Sequence, residues 1–222
     1  MQAPLKLLLL NELYKHRAFG FKYTHFEKKL ESQSFNSFKN IEHLKQSIWQ
    51  CNLCTLSKSK KNSVFGEGNL NAKLLFVGEA PGSTEDECGR PFTGRAGELL
   101  TKIIENVLHL KREDVYLANI LKCRPPKNRT PSLEEAKMCK PFLFEQIKLI
   151  KPKIIVALGA TSYQHLTNDF ESKISRIRGS EIPFGDAILV PTYHPSFLLR
   201  NPSAKKDVYY DMLKVKSIYE KI

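Results

Sequence analysis

The chain has 222 residues, 41% of them hydrophobic, which is enough to fill one core and argues for a single globular unit with an N-terminal attachment. Lysine and arginine number 35 against 23 acidic residues, a net charge of +12, so polyanions, nucleic acid first, head the expected partners. Residues 7–10 are all leucine, but Asn11 and Glu12 follow; that run is too short for a signal-peptide core or a membrane span, so a cytoplasmic protein acting as a monomer, without a membrane partner, is expected. Five cysteines make an odd number, and in a reducing compartment closely spaced cysteines read as metal ligands before they read as disulfides.

In chain order, residues 5–14 and 38–49 carry helical periodicity, the second with Phe38, Ile41, Leu44 and Ile48 on one face. Residues 57–71, rich in Lys, Ser, Gly and Asn, read as a loop or arm leading into the core. Four short runs dense in Ile, Val and Leu follow, at 73–78, 115–120, 154–159 and 187–191. They do not alternate with polar residues, which is how strands buried on both faces look. Helical patterns lie between them at 97–108, with Leu100, Ile103, Ile104 and Val107 on one stripe, at 132–150, and briefly after Gly159. A last helix is expected over 203–222, with Asn201 as its cap, Pro202 at its first position and Val208, Met212, Val215 and Tyr219 along one stripe. Alternating strands and helices imply an α/β fold, a parallel sheet covered on both sides.

In such sheets functional groups gather beyond the carboxyl ends of the strands. There the sequence places Gly78-Glu79-Ala80-Pro81-Gly82, then Asn119 with Cys123, then Gly159-Ala160-Thr161, then His194-Pro195-Ser196. Acid, amide and imidazole would share one crevice. GEAPG with Glu85 following, GRPFTGRAG, NILKCRPPKNRTP and YHPSFLLRNP, in this order at strand ends, resemble the family-4 uracil-DNA glycosylases from about residue 51 to 211. The resemblance implies a three-layer α/β/α sandwich with a four-stranded parallel sheet, a 4Fe-4S cluster, and action on uracil in DNA. Residues 1–46 lie outside it as an N-terminal helical extension of open role, and 47–222 are the expected catalytic domain.

Cys51 and Cys54 form a C-x2-C pair, and Cys123 and Cys139 complete a set of four. Thiolates suit iron–sulfur chemistry and tetrahedral zinc equally well on sequence alone; the resemblance assigns these four to a 4Fe-4S cluster and leaves Cys88 as an ordinary thiol. The set would tie the segment around Cys51 to the end of the second strand and to the helix that opens Thr130-Pro131-Ser132, where Thr130 is the expected cap and Pro131 the first helical residue.

A glycosylase must extrude its target nucleotide and read it by stacking and by its Watson–Crick edge. By motif position, Phe92 would stack on uracil, Asn119 would accept from N3–H and donate to O4, and Gly82 would line the pocket, where other families carry a bulky aromatic. His194 would donate to uracil O2 as negative charge grows there; His16, His25, His43, His109 and His165 read as structural. A carboxylate is wanted to orient water and stabilise the cationic sugar. Ala80 stands where better-known uracil glycosylases have an Asp, so Glu79 is favoured for water, Glu85 as support and Asn128 as a polar second contact. The run Glu85-Asp86-Glu87 is otherwise a solvated acidic turn. No lysine sits in a Schiff-base motif, so hydrolysis to an abasic site is expected. Among the basic residues Arg124, Lys127, Arg129, Arg176, Arg178 and Arg200, those favoured for DNA are Arg129, Arg178 and Arg200. Leu198 or Leu199 would wedge into the vacated stack, or else open a buried helix.

Three other identities meet specific obstacles in the sequence or in simple properties. Relatives that capture uracil-DNA without turnover carry a basic, histidine-containing insertion after the motif that here reads CRPPKNRTP, and this chain lacks it. A nucleotide-binding redox protein would need G-x-G-x-x-G or P-loop spacing, and neither occurs. A structural zinc module would lack the colour of an iron–sulfur protein.

Overall fold

The computed structural model describes residue 38 and residues 40–222. The expected helix at 5–14, the rest of the N-terminal extension up to residue 37, and His16 and His25 lie outside the described residues. Phe38–Ile222 form one compact unit.

The chain runs from helix α1 (Ile41–Trp49) through a 3-10 turn (Thr55–Lys58) into strands β1 (Glu67–Gly68) and β2 (Leu74–Gly78). Helices α2 (Ser83–Cys88) and α3 (Arg95–Ile103) follow, the latter continued by a π-helical turn (Ile104–Leu108), and then strand β3 (Tyr116–Asn119). Beyond it come α4 (Leu133–Ile150), β4 (Ile154–Leu158), α5 (Ala160–Thr167) and α6 (Ile174–Ile177). The chain closes with β5 (Ile182–Phe184), β6 (Ala187–Thr192), α7 (Pro195–Arg200) and α8 (Lys205–Tyr219).

The strands form one sheet in the order β1-β3-β2-β4-β6-β5. Its inner four strands are parallel, as expected. Beyond the expected four parallel strands, β1 and β5 add antiparallel edges and bring the sheet to six. β1 is a polar pair, Glu67-Gly68, with no apolar run to announce it, and β5 contains Pro183, tolerated on an edge where a missing N–H breaks no interior ladder.

Every residue of β2, β3 and β4 is buried, which explains their unbroken apolar sequences. Strand alternation splits them between two faces. Leu74, Phe76, Leu117, Ile154, Val156 and Val190 pack with Leu100 and Ile104 and with Val208, Met212 and Val215 of α8. On the other side of the sheet α1 lies against α4 and α5 against β4.

Several local expectations shift. α4 is capped by Ser132, not Thr130: the Ser132 hydroxyl accepts from Glu135 N–H at 3.2 Å while the Glu135 carboxylate accepts from Ser132 N–H at 2.9 Å, a reciprocal pair that Thr130 is too early to make. Asn201 does not cap the last helix through its side chain; its amide donates back to Phe197 O, and a 3-10 turn, Pro202–Ala204, precedes α8. The acidic run Glu85-Asp86-Glu87 lies in α2 rather than in a solvated turn, with Glu85 and Asp86 buried. Asp86 accepts from Lys61 N–H and Asn62 N–H, so the basic arm is latched to this helix.

Gly97 lets α3 approach the backbone of Phe92. A Cβ at residue 97 would stand 1.9 Å from Phe92 O, and that neighbour is main chain. Helix propensity alone favours alanine over glycine by about 1 kcal/mol; overpacking of this kind costs roughly 1–3 kcal/mol and displaces Phe92. Urea unfolding of Gly97→Ala is therefore expected to show a net loss of stability of about 1–2 kcal/mol; a stabilised variant contradicts the contact.

Candidate active site

Four strand ends and one loop meet at a single point. Glycine at position 78 closes β2 because a Cβ there would lie 2.4 Å from Asn119 Oδ1 and 2.7 Å from Phe92 Cζ. The ring of Phe92 in turn lies 6.4 Å from that of His194, tilted by 31°. At the end of β4, Gly159 adopts φ +87, and a Cβ on it would stand 3.0 Å from His194 Cβ. Phe92, Asn119 and His194, distant in sequence, thus surround one spot beyond the carboxyl edge of the sheet. Glu79 follows Gly78 directly.

Asn119 is buried, and its Oδ1 is the one buried side-chain oxygen or nitrogen among the described residues without a hydrogen-bond partner. Leaving such an acceptor unmet costs roughly 1–3 kcal/mol. An acceptor held dry beside an aromatic face and an imidazole suits a planar ligand that brings an N–H.

Phe92 is held in a left-handed conformation, φ 52, costly for an aromatic residue. Arg112 keeps it there: one Nη donates to Phe92 O at 3.1 Å and to Thr101 Oγ1, and the other donates to Pro91 O at 2.6 Å. Glu67 stands behind Arg112 and pairs with Arg90 through both of its oxygens. The Arg90 and Arg112 guanidinium groups hold the Glu67 carboxyl below the usual carboxylate range.

Glu85 joins two loops. Its carboxylate accepts from Gly82 N–H at 3.1 Å, Thr93 N–H at 3.2 Å and Gly94 N–H at 3.0 Å. With three donors bound to it, Glu85 is a positioning residue rather than a group free to orient water. The Gly82 amide is engaged in the same contact, and a Cβ on Gly82 would meet Glu85 Oε2 at 2.7 Å. Gly82 therefore serves the loop's shape and offers no free N–H to a ligand. Glu79 is the contrasting acid: its main-chain oxygen accepts from Leu121 N–H, while its half-buried carboxylate is bonded to no described residue.

His194 Nδ1 accepts from Ser196 N–H at 3.1 Å and lies 2.8 Å from Ser196 Oγ. A ring nitrogen that accepts a backbone N–H carries no proton of its own, so the neutral tautomer has its proton on Nε2. Burial, reinforced by the Arg200 charge and opposed by that of Glu85, lowers the His194 pKa to about 4. The site thus holds a neutral imidazole with an N–H to donate.

The four cysteines of the expected ligand set share one neighbourhood. Burial pushes Cys139 up to about 12 and Cys123 up to about 11, and the charges of Cys51 and Cys54 act on Cys123 as those of Cys51 and Cys123 act on Cys139. Thr55 beside the C-x2-C pair donates to Glu135 of α4. No three His, Cys, Asp or Glu among the described residues stand close enough together to hold a single metal ion. No described cysteine is in a disulfide, and Cys88 is exposed.

A family model described as the uracil DNA glycosylase superfamily matches residues 65–214. The chain is 45% identical over 184 residues to the type-4 uracil-DNA glycosylase of Thermotoga maritima, covering 82% of this chain and 95% of that protein. It is 44% identical to the type-4 uracil-DNA glycosylase of Saccharolobus solfataricus, covering 80% and 85%. The type-5 uracil-DNA glycosylase of Pyrobaculum aerophilum is more distant, 30% identical over 144 residues, with 58% and 63% covered. The chain belongs to the type-4 uracil-DNA glycosylases.

The outer residues of this type-4 glycosylase divide unevenly. Leu198 is 1% exposed and packs in the core under α7, so the wedge role does not fit it; Leu199, the other candidate, is 39% exposed. Arg178 is no free DNA contact: it donates to both oxygens of the buried Asp211 and to Asp207 O. Asp211 also accepts from Thr192 Oγ1 at 2.6 Å, so Arg178 braces the end of β6, two residues before His194. Arg129 grips the Glu135 carboxylate through both Nη atoms, at 2.6 and 2.8 Å, and with Arg129 as the leading cause the Glu135 pKa falls to about 2; half the Arg129 side chain still faces solvent. Arg200 is exposed and bonded to no described residue. Asn128 is exposed on the loop after β3, at φ 55, where its Oδ1 accepts from Arg124; nothing in the geometry joins it to Phe92, Asn119 or His194. Sequence reasoning missed Arg112 and Lys122: Arg112 acts on the main-chain oxygens of Pro91 and Phe92, which only the fold brings near, and Lys122 joins the local Asn119 carbonyl to the distant Gln146 side chain.

An imidazole NMR titration tests the His194 assignment. Its pKa of about 4 lies below the ordinary histidine value of about 6.5, so the unfolded chain binds the extra proton between those limits. Stability linked to His194 is expected to be full above about pH 6.5 and to fall as pH drops towards about 4. A midpoint at or above the ordinary value contradicts the neutral donor.

Proposed function

We propose that this chain hydrolyses the N-glycosidic bond of uracil in DNA, leaving an abasic site, and that the observation carrying this reading is the sealed, unpartnered Asn119 Oδ1 beside Phe92 and His194. Uracil presents N3–H to that acceptor. Cytosine presents a bare N3 there, which would set acceptor against acceptor in a dry site. The partner is uracil-containing DNA. Among the described residues no helix is long and apolar enough to cross a membrane.

The chemistry follows from what each group can do. With the nucleotide extruded, Phe92 lies on the base and Asn119 holds its edge. As the C1′–N1 bond breaks, its electron pair leaves with the base, and the neutral His194 donates Nε2–H to O2, where negative charge gathers. Because the imidazolium form loses its extra proton far below the ambient pH, the ring is already neutral and donates Nε2–H to the anion without changing its own protonation state. The Glu79 carboxylate orients a water towards the cationic C1′ and receives its proton, while the negative charge steadies the sugar. Glu85, Gly82 and Arg112 fix the two loops that make this possible. Arg200, Arg129 and Leu199 are the groups left to meet the DNA strand. No lysine sits in a Schiff-base motif, so the abasic product keeps its phosphodiester bonds.

Cys51, Cys54, Cys123 and Cys139 are the ligands of a 4Fe-4S cluster in this reading. No three of the described His, Cys, Asp or Glu residues stand close enough to hold one metal ion, which speaks against a single tetrahedral zinc, and four thiolates are the ligand set of a 4Fe-4S cluster. The cluster, when bound, ties α4, the end of β3 and the C-x2-C segment into one flank; uptake must displace the thiol protons that burial holds in place.

The test is uracil release from oligonucleotides, followed by mild alkali to cleave abasic sites. Wild type is expected to release uracil, and Glu79→Ala and His194→Ala to lose roughly 10²–10⁴ in rate. Tight binding of uracil-DNA by wild type without release would favour the rival binding-protein reading.

A further inference from the structure

Lys122 is 1% exposed and, among the described residues, is the only buried lysine or arginine. Its Nζ donates to the main-chain oxygen of Asn119 at 2.8 Å and to Gln146 Oε1 at 2.6 Å. Its backbone N–H donates to Cys139 Sγ at 3.2 Å, and its carbonyl accepts from Val64 N–H. Gln146 continues the network: its amide donates to Phe65 O and Tyr116 Oη. The ammonium also lies within electrostatic reach of the Cys139 and Cys123 sulfur atoms.

A buried ammonium is costly unless compensated. Two neutral oxygens do not compensate a full charge, and no carboxylate among the described residues pairs with Lys122. A four-thiolate iron–sulfur site carries net negative charge, and that is the missing counter-ion. The same side chain fixes the residue that reads the base, since the Asn119 carbonyl it holds belongs to the residue whose Oδ1 waits for uracil.

We propose that Lys122 is a positioning residue coupling the cluster to base recognition: its charge balances the cluster through the Cys123–Cys139 side, while its hydrogen bond sets Asn119. This rests on the cluster reading above. Cluster loading then fixes Lys122, and Lys122 fixes the acceptor. A role in packing alone would leave the cluster's own properties indifferent to residue 122.

The experiment compares wild type with Lys122→Met and Lys122→Arg, all purified anaerobically. It measures iron and sulfide content, the rate at which chelator bleaches the visible absorption, the reduction potential, and KM and kcat for uracil release. Lys122→Met is expected to bleach several-fold faster and to shift the potential in the negative direction, because an added electron loses its neighbouring cation. KM should rise roughly tenfold with kcat changed less, the loss of one well-placed hydrogen bond. Lys122→Arg, retaining charge and donors, should recover both properties at least in part. Lys122→Met with wild-type cluster behaviour, or with an altered cluster and an unchanged KM, overturns the coupling. If Lys122→Met does not fold, Gln146→Leu, which removes one acceptor of Nζ, should shift bleaching and KM in the same directions by less; no change in either overturns it equally. Wild type without iron or sulfide would instead overturn the cluster reading and leave the glycosylase reading standing.

Discussion

A single buried oxygen is the constraint around which this site is built. Asn119 Oδ1 has no donor, and a chain free to relax would turn the amide to find one. It does not relax because its surroundings are fixed independently: β3 is held between β1 and β2, the Phe92 ring closes one side, and Gly78 leaves only the space that ring and amide occupy. The cost of the unmet acceptor is carried by packing elsewhere, which is how strained or unsatisfied groups persist at functional sites. On the proposed reading, what is unsatisfied in the free protein becomes selectivity when a base with the matching donor arrives.

The scaffold holds its loops by a repeated device, a charged side chain bound to main-chain groups. Glu85 receives three backbone N–H groups from two loops, Arg112 donates to two consecutive carbonyls, and Lys122 holds a third. Charge-assisted bonds of this kind are stronger than neutral ones and are directional. They let irregular segments keep a defined shape next to the catalytic groups, so that Phe92 and His194 meet across chain separated by four strands and several helices. Several groups that look functional by composition serve this framework: Arg178 braces β6 through Asp211, Arg129 serves the cap of α4 through Glu135, and Leu198 fills the core.

The four parallel strands were legible because both faces are buried and the sequence has no room for polar alternation; the two edge strands were not, being short and carrying Gly68 and Pro183. The rim was legible because parallel sheets put functional groups at their carboxyl ends, which drew attention to Glu79, Asn119 and His194, while their motifs raised Asn119 and His194 above an ordinary turn residue and a structural histidine. Phe92 needed its motif. Arg112 and Lys122 were invisible, since their backbone partners carry no residue identity and their side-chain partners, Thr101, Glu67 and Gln146, lie at spacings that no motif marks. Leu198 and Leu199 are adjacent, and only the phase of α7 decides which faces the core. The cap of α4 was misplaced for a similar reason: Thr130 and Ser132 are both good caps, and the reciprocal bond with Glu135 chooses between them.

On the proposed reading, uracil is selected by the Asn119 acceptor. Single-turnover release of uracil by Asn119→Ala, on DNA saturated with enzyme and with folding checked by thermal unfolding, addresses it most directly. Removing the one acceptor for N3–H is expected to slow release about 10- to 100-fold, the rate equivalent of roughly 1–3 kcal/mol, with no cytosine released by the native protein. A folded variant that releases uracil at the native rate would contradict the account.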